Sequence, residues 1–261
     1  MTDISQPMSH AYRARFDECG PDGCVRSSAL LRYAVDLAWI HSERSGFTRE
    51  WYAERAVAWV VRSAELAVVA PVPLGRVVTL GTAVTGFRRV WSRRRTEGHL
   101  DDGTLALWAH TDWVMTDTVR GLPGRVPPEF PARFAAPLGS FEPVRVALPE
   151  TPANAHRATT RVRPQDLDPN DHVNNAAYVD YLEEALIAAG GDAALATRAI
   201  PRHIRLEYAV PALPGAVLGH AVWPIAADPM RSLGPGWAWR LADAEGRDLA
   251  RATVTFEQPP E

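Results

Sequence analysis

The stretch Asp166-Leu167-Asp168-Pro169-Asn170-Asp171-His172-Val173-Asn174-Asn175-Ala176-Ala177-Tyr178 leads from a polar turn into a segment that continues as Val179-Asp180-Tyr181-Leu182-Glu183-Glu184-Ala185-Leu186. Its first part gathers carboxylates, an imidazole and carboxamides in a turn that is too polar for a protein core. From Val173 onward, apolar residues recur at helical spacing, which predicts an amphipathic helix beginning there. Asn and Asp are good N-cap residues, so the polar turn is expected at the positive end of this helix.

The polar turn carries groups that hydrolysis of an acyl bond requires, namely an acid, a base and an oxyanion site. Asp168 is the candidate nucleophile or general base, and Asn170 and His172 are the candidates for positioning water and the leaving group. The first N–H groups of a helix have no intrahelical partner, so those of Val173 and Asn174 are the expected oxyanion donors.

Other interpretations of the turn fit less well. A calcium loop beginning at Asp166 would need Gly at its sixth position and Glu at its twelfth, where the sequence has Asp171 and Ala177. A zinc site would need further His or Cys at ligand spacing, and none lies nearby. A simple helix cap uses one or two polar side chains, whereas this stretch carries six. The excess favours a functional site without metal.

The run Asp168-Pro169-Asn170-Asp171-His172-Val173-Asn174-Asn175 resembles the Asp-x-Asn-x-His-Val-Asn-Asn signature of plant and bacterial acyl-ACP thioesterases. These are double hotdog proteins related to 4-hydroxybenzoyl-CoA thioesterases. The resemblance implies hydrolysis of an acyl thioester, on ACP or CoA, to free acid and thiol, with no cofactor.

Composition limits the remaining classes. The 261 residues suit one large domain or two domains of about 130 residues. A hydrophobic content of 46% is ample for a core, and a net charge of −3 argues against a nucleic-acid binder. There is no apolar run of about 18 residues and no signal peptide, so we expect a cytoplasmic protein without a membrane span. Cys19 and Cys24 fit no disulfide or metal framework. All 28 basic residues are Arg, which excludes lysine chemistry.

The order of predicted elements repeats. The first half predicts strands over residues 11–16, 57–69, 77–87, 91–100 and 105–116, with a helix over 27–42. The second half predicts strands over 156–163, 202–208, 217–224, 237–242 and 248–256, with the helix from Val173. The segment 66–75 matches 206–215, and 25–33 matches 173–181. This repeat predicts an α+β fold.

The resemblance then implies a tandem (double) hotdog, in which two antiparallel sheets each wrap a long helix. The expected division is an N-terminal hotdog repeat over 1–135, a linker over 136–155 and a C-terminal repeat over 156–261.

The two halves differ where the chemistry is expected. Aligning Val25 with Val173 places Gly20, Asp22 and Cys24 where the second half has the catalytic candidates. The second repeat is therefore expected to be catalytic and the first to form the acyl-chain pocket, as in the family. The candidate pocket residues, for which core packing is an equally good interpretation, are Leu30, Tyr33, Ala34, Leu37, Trp39 and Trp59.

One feature of the plant enzymes is missing. They carry a catalytic Glu in a Glu-Cys pair after a Glu-Tyr strand, and Glu207-Tyr208 matches the strand. The Glu-Cys positions, however, fall on Pro211-Ala212. The site lacks that acid unless Glu207 or Glu184 replaces it, and Glu207 is the expected fourth catalytic residue.

The expected partners follow from these observations. Arg88-Arg89 and Arg93-Arg94-Arg95 form a basic cluster, which is either a solvated strand face or a docking patch for CoA phosphates or an acidic carrier protein; Arg93 and Arg94 are its candidate contacts. A homodimer is one assembly open to such a fold. Two other functions remain: a hotdog dehydratase acting on acyl thioesters, and a non-enzymatic acyl-binding module.

Overall fold

A computed structural model of the chain describes residues 8–134, 140–226 and 235–256. The described strands form a large antiparallel sheet with few helices, and the chain divides into two units. The first unit comprises the described residues up to Ala64 together with Ala70–Pro143. The second comprises Glu65–Val69 and the described residues from Val144 onward.

The first unit carries one long helix against its sheet. The strands are β1 (Met8–Arg13), β2 (Val57–Val68, whose last residues belong to the second unit), β3 (Val77–Arg88), β4 (Trp91–Leu100), β5 (Leu105–Asp117) and β6 (Leu122–Pro123). The helices are α1 (Ser27–Arg44), α2 (Arg49–Glu54) and α3 (Glu129–Arg133). The strand order is β1-β3-β4-β5-β2, with β6 paired to β5. Helix α1 lies against β1, β3 and β5.

The second unit repeats this arrangement. Its strands are β7 (His156–Arg161), β8 (Arg202–Tyr208), β9 (Val217–Ile225), β10 (Gly236–Ala242) and β11 (Asp248–Phe256), and its helices are α4 (Ala177–Ala189) and α5 (Gly191–Ala196). The strand order is β7-β9-β10-β11-β8, and α4 lies against β7 and β9. Each strand occupies the place of its counterpart in the first unit, so the sequence repeat is also a repeat of topology.

Alternation of buried and exposed residues explains how the sheets form. Along β8, every second residue from Arg202 to Tyr208 is buried, while the residues between are partly exposed. Such a period of two buries one face of a strand. In the helices the buried residues recur every three or four positions instead, as Leu30, Ala34 and Leu37 of α1 do.

The sequence pattern predicted that helix α4 begins at Val173, but it begins at Ala177. Val173 is held in an antiparallel bridge with Leu167. The side-chain oxygen of Asn174 accepts the N–H of Ala176 at 3.0 Å, and its carbonyl accepts the N–H of Ala177 at 2.9 Å. An Asn side chain that bonds to its own backbone in this way competes with helix formation. The polar turn therefore ends several residues before the helix.

Part of the chain between the last long strand of the first unit and β7 folds as part of the first unit. Residues 117–134 include β6 and α3, and Phe130 of α3 is buried in an aromatic cluster with Phe47 and Tyr52. Residues 140–155 contain no helix or strand, and 136–139 of the predicted linker lie outside the described residues. No helix within the described ranges is both long and apolar enough to cross a membrane.

Candidate active site

Backbone hydrogen bonds close the polar turn of the second unit. The N–H of Asp168 donates to the carbonyl of His172 at 2.8 Å, and the N–H of Asp171 donates to the carbonyl of Asp168 at 3.0 Å. Asp171 has a φ of 59°, a left-handed conformation that Asp tolerates better than most residues. The turn is thus a tight loop whose backbone fixes the spacing of Asp168, Asn170 and His172.

The three candidate side chains share this loop and differ in exposure. Asp168 is half-buried, and its Oδ1 accepts the N–H of Asn170 at 2.8 Å. The side chains of Asn170 and His172 are exposed. The loop therefore holds a carboxylate in place while an amide and an imidazole beside it stay accessible to a substrate or water.

The predicted oxyanion donors are already occupied. The N–H of Val173 donates to the carbonyl of Ala212 at 3.3 Å, and the N–H of Asn174 donates to the carbonyl of Asp166 at 2.8 Å. The prediction was wrong because it assumed a helix starting at Val173, whose first N–H groups would have been unpaired. Within the described part of the chain, the N–H groups of His172 and Asn175 have no partner, so these are the donors available at the loop.

The segment that replaces the family's Glu-Cys pair borders the loop. The Ala212 carbonyl accepts from Val173, as above, and the Ala212 N–H donates to the hydroxyl of Tyr178 at 2.9 Å. Burial, with the charge of Asp168 adding to it, raises the pKa of Tyr178 to about 12, so its phenol stays protonated at neutral pH. Pro211-Ala212 therefore lies beside the motif but supplies no carboxylate to it.

Glu207 points away from the loop. The neighbouring Tyr208 donates its hydroxyl to the carbonyl of Asn175 at 2.8 Å, so alternation along β8 directs Glu207 to the opposite face. There its carboxylate accepts from Arg145 at 2.7 Å and from the backbone N–H of Val146 at 2.9 Å. The expectation that Glu207 completes the catalytic set beside His172 was therefore wrong, because the side chain anchors the irregular segment at the start of the second unit.

Asp166, which was not among the predicted site residues, is a buried carboxylate that supports the loop through its hydrogen bonds. Asp166 accepts the hydroxyl of Tyr181 at 2.7 Å, the backbone N–H of Arg163 at 2.8 Å and the guanidinium of Arg163 at 2.9 Å. Burial alone would raise the pKa of Asp166, but the bonds from Arg163 and Tyr181 outweigh it and lower that pKa. The sequence did contain a signal for this network: Arg163 and Asp166 are three residues apart, and Tyr181 lies one turn into helix α4.

The first unit contains a loop with the same backbone hydrogen bonds but without the candidate catalytic side chains. Its backbone bonds match: the N–H of Gly20 donates to Cys24 at 2.8 Å and that of Gly23 to Gly20 at 3.0 Å. The supporting network matches as well, since Glu18 bonds to the hydroxyl of Tyr33 and to the N–H of Arg15. The two loops are structural copies, and only the second carries Asp, Asn and His.

The basic cluster is not an exposed docking patch at its candidate residues. Arg93 forms a bidentate pair with Asp112, with distances of 2.6 and 2.8 Å, and Asp112 is 1% exposed. Arg94 is also buried and contacts His41. The prediction that Arg93 and Arg94 bind phosphates at the surface was wrong, because both side chains turn into the unit instead of toward solvent.

Most of the predicted pocket residues are buried in the first unit. Leu30, Tyr33, Ala34 and Leu37 are buried on α1. Trp59 is half-buried against the aromatic cluster, with its ring centroid 5.4 Å from that of Phe130. Trp39 differs, being 41% exposed, which removes it from the candidates.

A buried histidine of the second unit, His220, lies edge-on to Tyr181, with ring centroids 6.3 Å apart. The indole N–H of Trp239 donates to Nδ1 of His220 at 3.2 Å, so His220 is neutral with its proton on Nε2. Burial lowers the pKa of His220 to about 4, and burial likewise lowers the pKa of His41 in the first unit to about 4. No group of three or more His, Cys, Asp and Glu side chains among the described residues is arranged to hold a metal ion.

Because the pKa values of His220 and His41 are lowered, we expect the free energy of unfolding to decrease in mild acid. The unfolded chain protonates its histidines near pH 6.5, whereas the folded chain does so near pH 4, so the free energy of unfolding falls as the pH decreases through that window. Urea unfolding of the wild type between pH 7 and pH 4.5 measures this slope. His220→Gln, which keeps an acceptor for Trp239 and cannot titrate, should have a shallower slope; an unchanged slope would contradict the assignment.

Two family models match the chain. The acyl-ACP thioesterase N-terminal domain matches residues 6–134, and the acyl-ACP thioesterase C-terminal domain matches residues 150–258. A chloroplastic acyl-[acyl-carrier-protein] hydrolase of Cuphea viscosissima, FATB2, is 25% identical over 192 residues, which are 67% of this chain and 46% of the relative. The chain thus spans about half the length of this curated relative.

Solved structures show the same fold over nearly the whole chain. A candidate oleoyl thioesterase of Lactobacillus plantarum has a TM-score of 0.83 at 20% identity and covers 98% of both chains. An acyl-ACP thioesterase of Bacteroides thetaiotaomicron has a TM-score of 0.79 at 15% identity, covering 98% of this chain and 100% of that one. The 12:0-ACP thioesterase of Umbellularia californica has a TM-score of 0.76 at 19% identity, covering 96% and 97%. Because the two family models match nearly all of the sequence between residues 6 and 258, the chain belongs to the acyl-ACP thioesterase family.

Proposed function

We propose that this protein hydrolyses acyl thioesters, carried by ACP or CoA, to the free acid and the thiol. The observation that carries the proposal is the difference in side chains between two loops that share the same backbone hydrogen bonds. The second unit's loop holds Asp168, Asn170 and His172, and the first unit's loop has Gly20, Asp22 and Cys24 at the same positions. Membership of the thioesterase family gives the reaction class for that loop.

The loop suggests how each group acts. Asp168, fixed by the N–H of Asn170, either takes a proton from water as the new C–O bond forms or attacks the thioester carbon itself. The exposed Asn170 amide and His172 imidazole orient the water. In the water route, the proton that Asp168 takes up passes by way of the His172 imidazole to the departing thiolate as the C–S bond breaks. The N–H groups of His172 and Asn175 are the donors proposed to stabilise the negative charge on the carbonyl oxygen.

The proposed architecture is a tandem hotdog with divided roles. The repeated strand order, with one long helix per unit, supports it. In the aligned helices, Ala34 and Ala38 of α1 stand where α4 has Leu182 and Leu186. At the third position, Leu37 of α1 stands where α4 has Ala185. The row of α1 formed by Ala34, Leu37 and Ala38 therefore carries one leucine, where the matching row of α4 carries two. The smaller row favours acyl-chain binding by the first unit and chemistry by the second.

Enlarging this row should change the preferred chain length. Ala34→Leu adds three carbons to a fully buried position, so the longest acyl chains should lose most activity while shorter chains are still hydrolysed. Each methylene in such a pocket is worth about 1–3 kcal/mol of discrimination, so preference shifts and activity persists. Thiol release is measured with acyl-CoAs of increasing length, with a melting curve to confirm that the variant is folded.

His172→Ala is the comparison for this prediction. It should lower turnover for every chain length alike, because His172 belongs to the catalytic loop. A chain-length profile that changes in His172→Ala and not in Ala34→Leu would reverse the roles of the two units.

Release of thiol decides between this proposal and its rivals. The purified protein is mixed with acyl-ACP and acyl-CoA substrates, and free thiol is detected with DTNB. A hydrolase gives thiol and free acid in equal amounts. A dehydratase acting on 3-hydroxyacyl or 2-enoyl thioesters would change their absorbance without releasing thiol. A binding module would retain the acyl thioester unchanged. The ratio of rates on ACP and CoA identifies the carrier.

A further inference from the structure

Three buried tyrosines of the second unit pack together beside the polar turn. Tyr181 and Tyr208 donate their hydroxyl protons to oxygen acceptors in or next to this turn. Tyr178 differs, because its hydroxyl oxygen accepts the backbone N–H of Ala212 at 2.9 Å. Within the described part of the chain, no group accepts the hydroxyl proton of Tyr178, although this residue is only 2% exposed. Tyr178 thus has a buried donor that the fold itself does not use.

The first unit shows which tyrosine the loop needs for its structure. Tyr181 has a counterpart there in Tyr33, whose hydroxyl also bonds to a carboxylate. Tyr178, in contrast, stands where the first unit has Leu30. A loop with the same backbone hydrogen bonds therefore forms without the Tyr178 hydroxyl. This hydroxyl accompanies the candidate catalytic side chains of the second unit.

Backbone contacts place the Tyr178 hydroxyl near Asp168. The carbonyl of Ala212 accepts the N–H of Val173, and Val173 is bridged to Leu167, the residue before Asp168. After burial, the charge of Asp168 is what raises the pKa of Tyr178, an effect that requires the two groups to be close. Oδ1 of Asp168 accepts a backbone N–H, whereas Oδ2 has no hydrogen-bond partner among the described residues. An unused donor and an unused acceptor therefore lie in the same part of the second unit.

We propose that Tyr178 and Asp168 hold the hydrolytic water between them. The inference rests on the proposed thioester hydrolysis. No direct hydrogen bond joins these two side chains in the described ranges, and polar groups that are close but beyond bonding distance commonly share a bridging water. The phenol donates to the water oxygen, and the water donates to Oδ2 of Asp168. The bond from Ala212 holds the phenol in place and strengthens its O–H as a donor.

This arrangement makes direct attack by water the chemical step. As the water oxygen bonds to the thioester carbon, one water proton passes to Asp168 and the C–S bond breaks. The proton then passes through the His172 imidazole to the thiolate, so that free acid and thiol are formed. Tyr178 keeps its own proton throughout and directs a lone pair of the water toward the thioester.

Tyr178→Phe tests the water site directly. It should lower kcat by about tenfold, the effect of one hydrogen bond lost in the transition state. KM should stay unchanged, because the phenol contacts water and not the acyl thioester. Tyr208→Phe is the comparison, since it removes a similarly buried hydroxyl from the same cluster and measures the effect of a purely structural loss. Thiol release gives the rates, and melting curves show that both variants are folded.

Partition between water and hydroxylamine separates a water site from a structural effect. Hydroxylamine attacks a thioester without a general base, releasing thiol and forming a hydroxamate. In Tyr178→Phe, acid formation should fall while hydroxamate formation persists, so the hydroxamate-to-acid ratio should rise by about tenfold. Tyr208→Phe should change both products alike and keep the wild-type ratio. Mass spectrometry measures the two products after the uncatalysed reaction is subtracted.

Tyr178→difluorotyrosine tests the proton itself and takes the place of Tyr178→Phe if that variant does not fold. Burial raises the pKa of Tyr178 to about 12, so the wild-type phenol keeps its proton well above neutral pH. Fluorine makes a phenol more acidic, and an ionised phenol cannot donate, so kcat should fall at a lower pH than in the wild type. The titratable groups facing Tyr178 are Asp168, Tyr181 and Tyr208, and they are the same in both proteins.

The outcomes separate this inference from the proposed function. A wild-type kcat and an unchanged product ratio in Tyr178→Phe would make Tyr178 a structural residue and overturn the water site, while hydrolysis would stand. An alkaline limit of kcat that does not move in the difluorotyrosine variant would overturn it as well. If the wild type releases no thiol from any thioester, the hydrolase proposal fails and the water site fails with it.

Discussion

Asp168→Asn should reduce thioester turnover by about a hundredfold or more while the fold is retained, which is the usual effect of removing a catalytic acid–base group. The substitution keeps the shape of the side chain, and the Asn oxygen can still accept the N–H of Asn170. Only the charge and the basicity are lost. The measurement is kcat by thiol release at saturating substrate, with circular dichroism and a melting curve to show that the fold is unchanged.

Asp171→Asn is the matched control for Asp168→Asn. It removes the same charge from the same loop, and Asn tolerates the left-handed conformation found at this position. Its turnover should stay near that of the wild type. Equal losses in the two variants would mean that the charge of the loop matters and not Asp168 itself. A near-normal rate in Asp168→Asn would remove this residue from the mechanism.

Isotope labelling then separates the two routes open to Asp168. A single turnover in H₂¹⁸O with excess enzyme places the label in the free acid if water attacks the thioester directly. If Asp168 attacks first, water opens an anhydride, and attack at the aspartyl carbon leaves ¹⁸O in the Asp168 carboxylate. Mass spectrometry of the peptide containing Asp168 detects that label.

Most of the fold follows from sequence patterns. Alternation and turn residues predicted β4, β8 and β11 with the bounds that the structure has, and β4 and β8 do bury every second residue over most of their length. The start of α4 could not be predicted in this way. Apolar spacing continues back to Val173, but the Asn174 side chain bonds to the backbone of Ala176 and delays the helix. A pattern of apolar residues does not contain that local competition.

The partners of individual polar side chains were harder to predict. A run of arginines on a strand has one appearance in sequence whether it faces water, an acid or a core. In the structure, Arg93 pairs with Asp112, Arg94 bonds to His41 and Arg95 pairs with Glu97. The acidic partner of Arg93 lies on β5, at a register that only the folded sheet defines. Glu207 was misplaced for the same reason, since its partners come from the irregular segment before β7.

Asp166→Ala should lower the free energy of unfolding by about 2–4 kcal/mol, the range expected when a buried carboxylate and its partners are separated. The substitution removes the acceptor of the Tyr181 hydroxyl, and Tyr181 is completely buried. It also releases Arg163, whose backbone N–H and guanidinium both bond to Asp166. Urea unfolding at pH 7 measures the loss. The lowered pKa of Asp166 means that the wild type loses this advantage as the pH falls below about 4, so the difference between the two proteins should narrow there.

Tyr181→Phe tests whether Asp166 acts through the tyrosine. Alone, it should cost about 1 kcal/mol, since one hydrogen bond is lost. In the Asp166→Ala background it should cost nothing or stabilise the fold, because it then removes a buried hydroxyl that has lost its acceptor. The two substitutions should therefore be non-additive by about 1 kcal/mol or more. Strict additivity would show that the bond between Tyr181 and Asp166 does not support the polar turn, and that Asp166 stabilises the second unit through Arg163 alone.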